Sequence, residues 1–314
     1  MGYFRSVRFY KHLIITVILI IIFAPYILVA FLFRSNLLLK EQLHSADNSL
    51  DYTSVFSLDS IIMPSVVSSP SQYYDLNTIK LIKDSLPYQK KYDDLYVERK
   101  AFIPSESNEK IAYLTFDDGP SSLTLKILDT LDEHNIKATF FVTYKDDDLS
   151  ISIYKEIVNR GHAIGIHTAT HVYDEIYNSV DAYLDDFYKI YNHIYEITGV
   201  RAEIFRFPGG SVNTYNNTIY KEIISEMLRR GFTYYDWNVD TGDGLKGSTK
   251  SSIMEAVKTR SIHYNRIIVL MHDSNSKKET YQALPMIIDY YKENNYRVEK
   301  LDSTVIPIIF AYRD

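Results

Sequence analysis

The chain has 314 residues, of which 46% are hydrophobic and 24% are charged, proportions typical of a folded globular protein. Its net charge of −6 argues against nucleic-acid binding, which usually needs a basic surface. The absence of cysteine excludes a disulfide framework, a thiolate metal site and a thiol nucleophile.

The N-terminal part of the chain has the pattern of a membrane anchor. Residues 13–33 carry no charged side chain, and as a helix they would span about 31 Å, close to the thickness of a bilayer core. Three basic residues precede this run, so we predict that residues 1–12 are cytoplasmic and that the rest of the chain is exported. A cleaved signal peptide and a buried core helix are the alternatives, but the run is long for a signal peptide and lacks the charges of a core helix. We therefore predict a single-pass signal anchor that contacts membrane lipid.

Residues 34–109 follow the predicted anchor and are rich in Ser, Asp and Asn, with weak periodicity. This composition predicts an extended extracellular stalk or linker.

From Lys110 onward, short apolar runs alternate with amphipathic stretches, which predicts a repeating βα pattern. Seven strands are expected, in the segments "IAYLTF", "ATFFVTY", "AIGIHT", "EIFRFP", "FTYYDWNV", "RIIVLMH" and "YRVEKL". Helices are expected over Leu123–Glu133, Ile151–Arg160, Tyr183–Ile197, Thr218–Arg230, Ser252–His263 and Tyr281–Asn294. Gly161 and Gly231 stand where two of these helices should end. The pattern predicts an α/β domain over 110–302, with a parallel sheet that is open or closed into a barrel, and a tail over 303–314.

Two adjacent carboxylates, Asp117 and Asp118, end the first predicted strand in "FDDGP". Asp, Gly and Pro are common turn formers, so a solvated turn is one interpretation. In parallel α/β folds, however, chemistry gathers at the C-terminal ends of the strands. The pair therefore lies on the edge where a catalytic site is expected.

Two histidines, His167 and His171, end the third predicted strand at a spacing of four residues that lets two imidazoles approach one metal ion. They could instead be unrelated polar residues at a helix start. Their position on the same edge as the two carboxylates favours a metal site.

Later strands bring further polar residues to this edge. Arg206 ends the fourth strand before a Pro-Gly-Gly turn, where it could hold a carboxylate bidentately and the glycines could let a backbone N–H approach a substrate. His272 and Asp273 end the sixth strand, and a histidine there could act as a general acid or base. The end of the fifth strand and the segment after it supply four more residues, for any one of which a solvated loop position is an alternative: Asp236, Trp237, Asp240 and Asp243.

Together these residues predict a hydrolytic metal site. One aspartate and two histidines leave coordination positions for water and for a substrate oxygen, and a metal held this way lowers the pKa of its water and polarises a carbonyl. The second aspartate of the pair can then take a proton from the water. The metal charge offsets the repulsion between the two carboxylates.

The ordered set "TFDDGP", "HTATH", "RFPGG", "DWNVDTGDG" and "LMH" resembles the five motifs of the polysaccharide deacetylases, the NodB-homology domain of carbohydrate esterase family 4. The resemblance covers roughly residues 110–302. It implies a distorted (β/α) barrel of the NodB type with one divalent metal, usually Zn²⁺, with Co²⁺, Ni²⁺ or Mn²⁺ as alternatives.

The resemblance also implies roles for individual residues. It makes Asp117 the general base, oriented by Arg206, and His272 the general acid, paired with Asp243. It makes Asp118, His167 and His171 the metal ligands, and it gives the backbone N–H of Gly209 to the oxyanion. The residues expected to contact substrate are Leu270 at the acetyl pocket, Trp237 and Pro208.

Two positions depart from the family pattern, both in the expected walls of the substrate groove. Gly244 stands where many relatives have Trp, and Phe207, Pro208 and Gly209 stand where Pro-Pro-Tyr is frequent.

The resulting hypothesis is a membrane-anchored enzyme that removes acetyl groups from N-acetylglucosamine of a cell-wall glycan, first of all peptidoglycan. A deacetylase or esterase of another surface polysaccharide, N- or O-acetylated, is the alternative within the enzyme class. A non-catalytic glycan-binding protein on the same fold is the alternative of another class. The sequence does not specify an oligomeric state.

Overall fold

The computed structural model describes residues 86–104 and 109–312, all of which belong to one compact unit, Lys80–Asp314. The predicted cytoplasmic segment, the anchor over 13–33 and the stalk up to residue 85 lie outside the described residues. Among the residues that are described, no helix is long and apolar enough to cross a membrane.

A sheet of eight strands forms the centre of the described part of the chain, and every pairing in it is parallel. The strands are β1 (Ile111–Asp117), β2 (Thr139–Thr143), β3 (Ala163–Thr168), β4 (Ile204–Phe205), β5 (Thr233–Tyr234), β6 (Val239–Asp240), β7 (Arg266–His272) and β8 (Arg297–Glu299). Their order is β5-β4-β3-β2-β1-β7-β6, and β8 pairs with the first half of β1.

The predicted fifth strand, "FTYYDWNV", is split into two. Its first part, β5, pairs with β4 at one end of the sheet, and its second part, β6, pairs with β7 at the other end. Only four residues join β5 to β6, so the two ends of the sheet must curl toward each other. The sheet is therefore a parallel half-barrel of the predicted NodB type, and the single-strand prediction was wrong because this segment bridges the gap.

Helices follow most strands and cover the outer face of the sheet, as the βα pattern predicts. They are α1 (Ser122–Glu133), α2 (Asp148–Asn159), α3 (Tyr173–Ile176), α4 (Val180–Thr198), α5 (Tyr220–Arg229), α6 (Lys250–Ser261) and α7 (Lys278–Glu293). The six predicted helices are present with ends shifted by up to three residues, and the single turn α3 was not predicted. Gly161 and Gly231 follow α2 and α5 with φ of +78° and +90°, as expected of residues that stop a helix.

Alternation along the strands separates an inner from an outer core. The inner cluster includes Ile111 and Tyr113 of β1, Phe141 of β2 and Ile268 of β7. The residues between them pack against the helices in the larger outer cluster. Because side chains alternate in a strand, the inner face of β1 continues through residues 115 and 117, and that of β7 through residues 270 and 272. The polar ends of these strands therefore face the mouth of the half-barrel.

The compact unit extends beyond the predicted 110–302 at both ends. Before it, Pro87–Lys90 forms a 3₁₀ turn, and the Val97 N–H donates to the carbonyl of Arg230. After it, the Ile308 carbonyl accepts a hydrogen bond from the N–H of Asp236. The last part of the predicted stalk and most of the predicted tail are thus packed against the sheet and helices.

Candidate active site

Asp117 ends β1 inside the half-barrel and is 2% exposed. The fully buried guanidinium of Arg206 donates from Nη1 to Asp117 Oδ1 at 3.0 Å and to Thr115 Oγ1 at 2.6 Å. The other nitrogens of Arg206 donate to the carbonyls of Tyr235 and Asp236. Arg206 therefore holds one oxygen of Asp117 through a single bond rather than bidentately, which leaves Oδ2 outside this contact.

Asp118, His167 and His171 come together at the ends of β1 and β3, as predicted. One ligand atom from each lies within 4.8 Å of the other two. Asp118 Oδ1 is 3.6 Å from Nε2 of His167 and 3.4 Å from Nε2 of His171. Ligand bonds of about 2.0–2.2 Å at a tetrahedral angle place two ligand atoms about 3.4 Å apart. The spacing of these three residues therefore fits a tetrahedral metal ion.

The protonation of His167 supports the same interpretation. Its Nδ1 lies 2.9 Å from the carbonyl oxygen of Arg206, which can only accept, so Nδ1 carries the proton. Burial lowers the pKa of His167, so its Nε2 is an unprotonated acceptor. This acceptor faces Asp118 Oδ1, which is buried and has no hydrogen-bond partner among the described residues. A cation bound between these two acceptors, which face each other across 3.6 Å, would satisfy both.

The backbone at two of these residues has an unusual conformation. Asp118 has φ of +76° and His171 has φ of +58°, in the left-handed region that non-glycine residues rarely adopt. Such conformations are retained where the surrounding structure imposes them, often at functional sites. Part of that constraint comes from Asp186 of α4, whose carboxylate accepts from the backbone N–H groups of Ala169 and Thr170 in the loop between the histidines.

His272 ends β7 and lies opposite Asp117 in the pairing register of β1 and β7. Its Nδ1 is 2.8 Å from Oδ1 of the buried Asp243, and its backbone N–H donates to Asp243 Oδ2. Burial alone would lower the pKa of His272, but the hydrogen bond and charge of Asp243, with the charges of Asp117 and Asp118, raise it to about 9. The predicted pairing of His272 with Asp243 is therefore present, and it favours the protonated imidazole.

The turn after β4 carries Gly209, which is exposed and has φ of +74°. Asp236 fixes this turn, because its buried carboxylate accepts from the N–H and the hydroxyl of Ser211. It also accepts from the N–H of Phe310, which ties the C-terminal segment to the turn. The side chain of Pro208 is buried, and its carbonyl accepts from the Tyr177 hydroxyl.

Three other residues that the sequence singled out do not contact the Asp118, His167 and His171 cluster in the contacts described here. Leu270 is on the inner face of β7 and 6% exposed, and Trp237 is half-buried against Phe310, with ring centroids 4.9 Å apart. Asp240 is not part of the cluster, because its carboxylate accepts from the Gly242 N–H and faces Arg260. The contacts of Leu270, Trp237 and Pro208 with substrate remain predictions.

Two residues that support the site were not predicted from the sequence: Asp186 fixes the loop between the histidines, and the ring of Tyr173 lies beside His171. Asp273, which was predicted at the end of the sixth strand without a role, is fully buried below Gly119. Burial raises the pKa of Asp273 to about 7, and Thr124 donates to its carboxyl group. For Asp186 and Tyr173 the sequence held no local signal, whereas Asp273 directly follows His272.

The arrangement places the Asp117 carboxylate and the His272 imidazole, whose pKa is raised, on paired strands, next to three residues that fit a cation. Such a set can activate water on one side of a carbonyl and protonate a leaving group on the other.

Comparison with known proteins gives a consistent family. Residues 105–228 match the family model for polysaccharide deacetylase. A peptidoglycan-N-acetylglucosamine deacetylase of Bacillus cereus is 31% identical over 248 residues, which cover 70% of this chain and 83% of the relative.

Solved structures are similar over the same region. The catalytic domain of the peptidoglycan N-acetylglucosamine deacetylase from Eubacterium rectale has a TM-score of 0.64 and 34% identity, covering 68% of this chain and 98% of that one. The polysaccharide deacetylase Bc1974 from Bacillus cereus has a TM-score of 0.58 and 29% identity, covering 64% of this chain and 97% of that one.

Proposed function

Because the chain belongs to the polysaccharide deacetylase family, whose members hydrolyse N-acetyl amide bonds, we propose that it removes acetyl groups from N-acetylglucosamine of a cell-wall glycan. The glycan that we propose is peptidoglycan. The observation that carries this proposal is the meeting of Asp118, His167 and His171 beside Asp117 and His272 at the mouth of the half-barrel. The similarity to peptidoglycan deacetylases supports the choice of substrate.

Asp118, His167 and His171 would hold one divalent cation, which we propose is Zn²⁺. When bound, the cation would make water more acidic and polarise the acetyl carbonyl. Two nitrogen donors and one carboxylate suit zinc and leave positions for water and substrate.

The remaining residues would move the protons. Asp117 takes a proton from the attacking water through its free oxygen, while Arg206 fixes the other oxygen. His272, kept protonated by Asp243, donates to the amine nitrogen as the C–N bond breaks. The N–H of Gly209 would stabilise the negative charge on the carbonyl oxygen, and its positive φ is consistent with close approach of the backbone.

The test is acetate release by the purified protein from peptidoglycan, chitin oligomers and acetylated xylan, with mass spectrometry of the products. Loss of acetyl groups from N-acetylglucosamine is expected, and it should disappear with a chelator and return when Zn²⁺ is added. Asp118→Ala should neither retain metal nor release acetate. Acetate release from xylan alone would instead assign the enzyme to an O-acetylated polymer.

We further propose that residues 13–33 anchor the enzyme in the membrane and that its catalytic domain acts outside the cell. This rests on the sequence alone, from the uncharged run and the basic residues before it. Protease added to intact protoplasts should digest the catalytic domain. Digestion only after lysis would reverse this topology.

A further inference from the structure

Tyr173 occupies the space next to Gly209 at the edge of the candidate site. A Cβ atom at Gly209 would lie 2.9 Å from Cε1 and 3.0 Å from the hydroxyl oxygen of Tyr173. The ring also stands edge-on to His171, with centroids 5.4 Å apart and planes at 86°. The aromatic ring of Tyr173 thus lies between His171, one of the three candidate metal ligands, and the turn that carries Gly209. Gly209 has no side chain of its own to fill this space.

Tyr215 extends this aromatic surface toward solvent. Its ring centroid is 4.7 Å from that of Tyr173, at an angle of 48°. Tyr215 is 56% exposed. Packing explains the partly buried Tyr173, which also contacts Tyr177, but it does not explain why a large ring beside it is left in water.

The loop that carries Tyr215 is fixed to the same turn as Gly209. Asn213 donates from Nδ2 to the carbonyls of Pro208 and Gly210, at 3.1 and 3.0 Å. Its Oδ1 accepts from the backbone N–H of Tyr215 at 2.8 Å. The exposed ring therefore stands on a hydrogen-bonded loop, so little conformational entropy would be lost when a ligand binds to it.

We propose that Tyr173 and Tyr215 bind a pyranose ring of the N-acetylated glycan and so direct its acetyl group to the candidate metal site. These two residues are called the tyrosine pair below. A pyranose has an apolar C–H face and a polar rim, and tyrosine offers an apolar ring with a polar hydroxyl. Tyrosine also provides a large contact area with few rotatable bonds. The occupant is a glycan rather than a protein, because the pair is continuous with His171 and Gly209. The proposal rests on the proposed function and assigns its substrate-specificity residues.

The first experiment compares the glycan with a substrate that lacks a sugar. Acetate release from a chitin oligomer and from a small aryl acetate is measured for the wild type, Tyr215→Ala and Tyr173→Ala. The ratio of kcat/KM on the oligomer to kcat/KM on the aryl acetate should fall about tenfold in each variant, mainly through a higher KM for the oligomer. An unchanged ratio in both variants would overturn the proposal.

A matched control is Tyr264→Ala. Tyr264 is 43% exposed and precedes β7 at the opposite edge of the sheet from His272. This variant should keep the wild-type ratio, and a similar fall there would mean that the loss reflects general destabilisation rather than the tyrosine pair.

A binding measurement separates this proposal from the proposed function. Calorimetry with the chitin oligomer on Asp117→Asn protein should show binding that weakens about tenfold when Tyr215→Ala is added. Binding that depends on Tyr215 without acetate release by the wild type would support the pair while refuting the proposed function. Acetate release by the wild type, together with glycan binding that is unchanged in Tyr215→Ala, would support the proposed function and refute the role of the tyrosine pair.

Discussion

Asp117 and Asp118 are neighbours in the chain, but their side chains have different surroundings. Asp117 continues the strand and points to Arg206 inside the half-barrel. At Asp118 the backbone turns, with φ of +76°, and the carboxylate points to the two histidines. The change of backbone conformation between them separates two like charges that would otherwise repel, so that one can bind a metal and the other can accept a proton.

This separation predicts different effects for two similar substitutions. Asp117→Asn keeps the shape of the side chain but removes the proton acceptor, so kcat should fall roughly 10²–10⁴-fold while the metal content stays unchanged. Metal analysis and acetate release on the same samples are the measurements. Asp118→Asn is the matched control and should lose metal. Full activity in the Asp117→Asn protein would refute the assignment of the base.

The pairing of His272 with Asp243 predicts the alkaline limb of the pH profile. His272 must be protonated to act as the acid, so activity should be lost as the pH rises through its pKa. That pKa is raised from 6.5 to about 9 without a cation, and a bound divalent cation would offset the charges of Asp117 and Asp118. The wild-type limb should therefore lie between 6.5 and 9.

Asp243→Asn removes the remaining anion next to His272, so the alkaline limb should move to lower pH. The measurement is kcat/KM on a glycan between about pH 5 and pH 10, which brackets the range over which the imidazole can lose its proton. Asp240→Asn is the control, because Asp240 lies three residues away in the same segment but faces Arg260. An alkaline limb that stays in place in Asp243→Asn would show that Asp243 does not tune His272.

At the scale of the elements, the alternation within the strands explains why the site could be predicted from the sequence. Asp117 and His272 each end a continuous buried run, and both occupy positions that face inward. The sequence is therefore enough to predict which end of the sheet carries the site, the order of the strands along the chain and the residue types of the candidate metal site. It does not contain the curvature that splits "FTYYDWNV" into β5 and β6, because the pairing partners β4 and β7 are distant in sequence.

Support for the site comes from elements that carry no recognisable signal. Asp186 lies within α4 and appears in the sequence as one more charged residue on a helix, yet it fixes the histidine loop. Asp236 resembles any loop carboxylate, yet it joins the Gly209 turn to the C-terminal segment. Long-range hydrogen bonds of single side chains leave no periodicity, so only the structure reveals them.

Substitutions at two glycines can test how firmly the segment before β1 packs against the C-terminal end of α5. Gly231, after α5, has φ of +90°, and a Cβ there would lie 2.0 Å from the backbone oxygen of Val97. Gly199, after α4, has φ of +71° and open space around it. Gly199→Ala should therefore cost roughly 1–2 kcal/mol of unfolding free energy from the backbone conformation alone. Gly231→Ala should cost a further 1–3 kcal/mol, roughly, because the clash is with backbone.

Urea unfolding of the two glycine variants gives these differences from the transition midpoints. Equal losses in both variants would mean that the segment around Val97 moves away without cost and is not packed firmly on α5.

At the scale of the whole molecule, the segment 86–104 closes around one buried arginine. The guanidinium of Arg230 donates to the carbonyls of Tyr88, Lys91, Tyr92 and Leu95, and to the carboxylate of Glu226. Arg230 is 0% exposed. Residues 88–95 have no regular periodicity, because a side chain rather than a strand partner binds four of their carbonyls, and their composition therefore resembles that of a linker.

The role of Arg230 predicts where the catalytic unit begins. A chain starting at Glu109 would lose all four carbonyl acceptors and leave Glu226 as the remaining hydrogen-bond partner described for the Arg230 guanidinium. Breaking the partners of a buried charge typically costs about 3–5 kcal/mol, which is a large part of the stability of a domain. A chain starting at Leu86 keeps every one of these bonds and is the matched control. We expect the longer chain to unfold cooperatively on heating, and the shorter chain to be unfolded or to melt at a much lower temperature, as measured by circular dichroism. Arg230→Met in the shorter chain should recover part of the loss, because it removes the charge that lacks partners. If the chain starting at Glu109 melts at the same temperature as the one starting at Leu86, then residues 86–104 are an attached linker and the catalytic unit begins at β1.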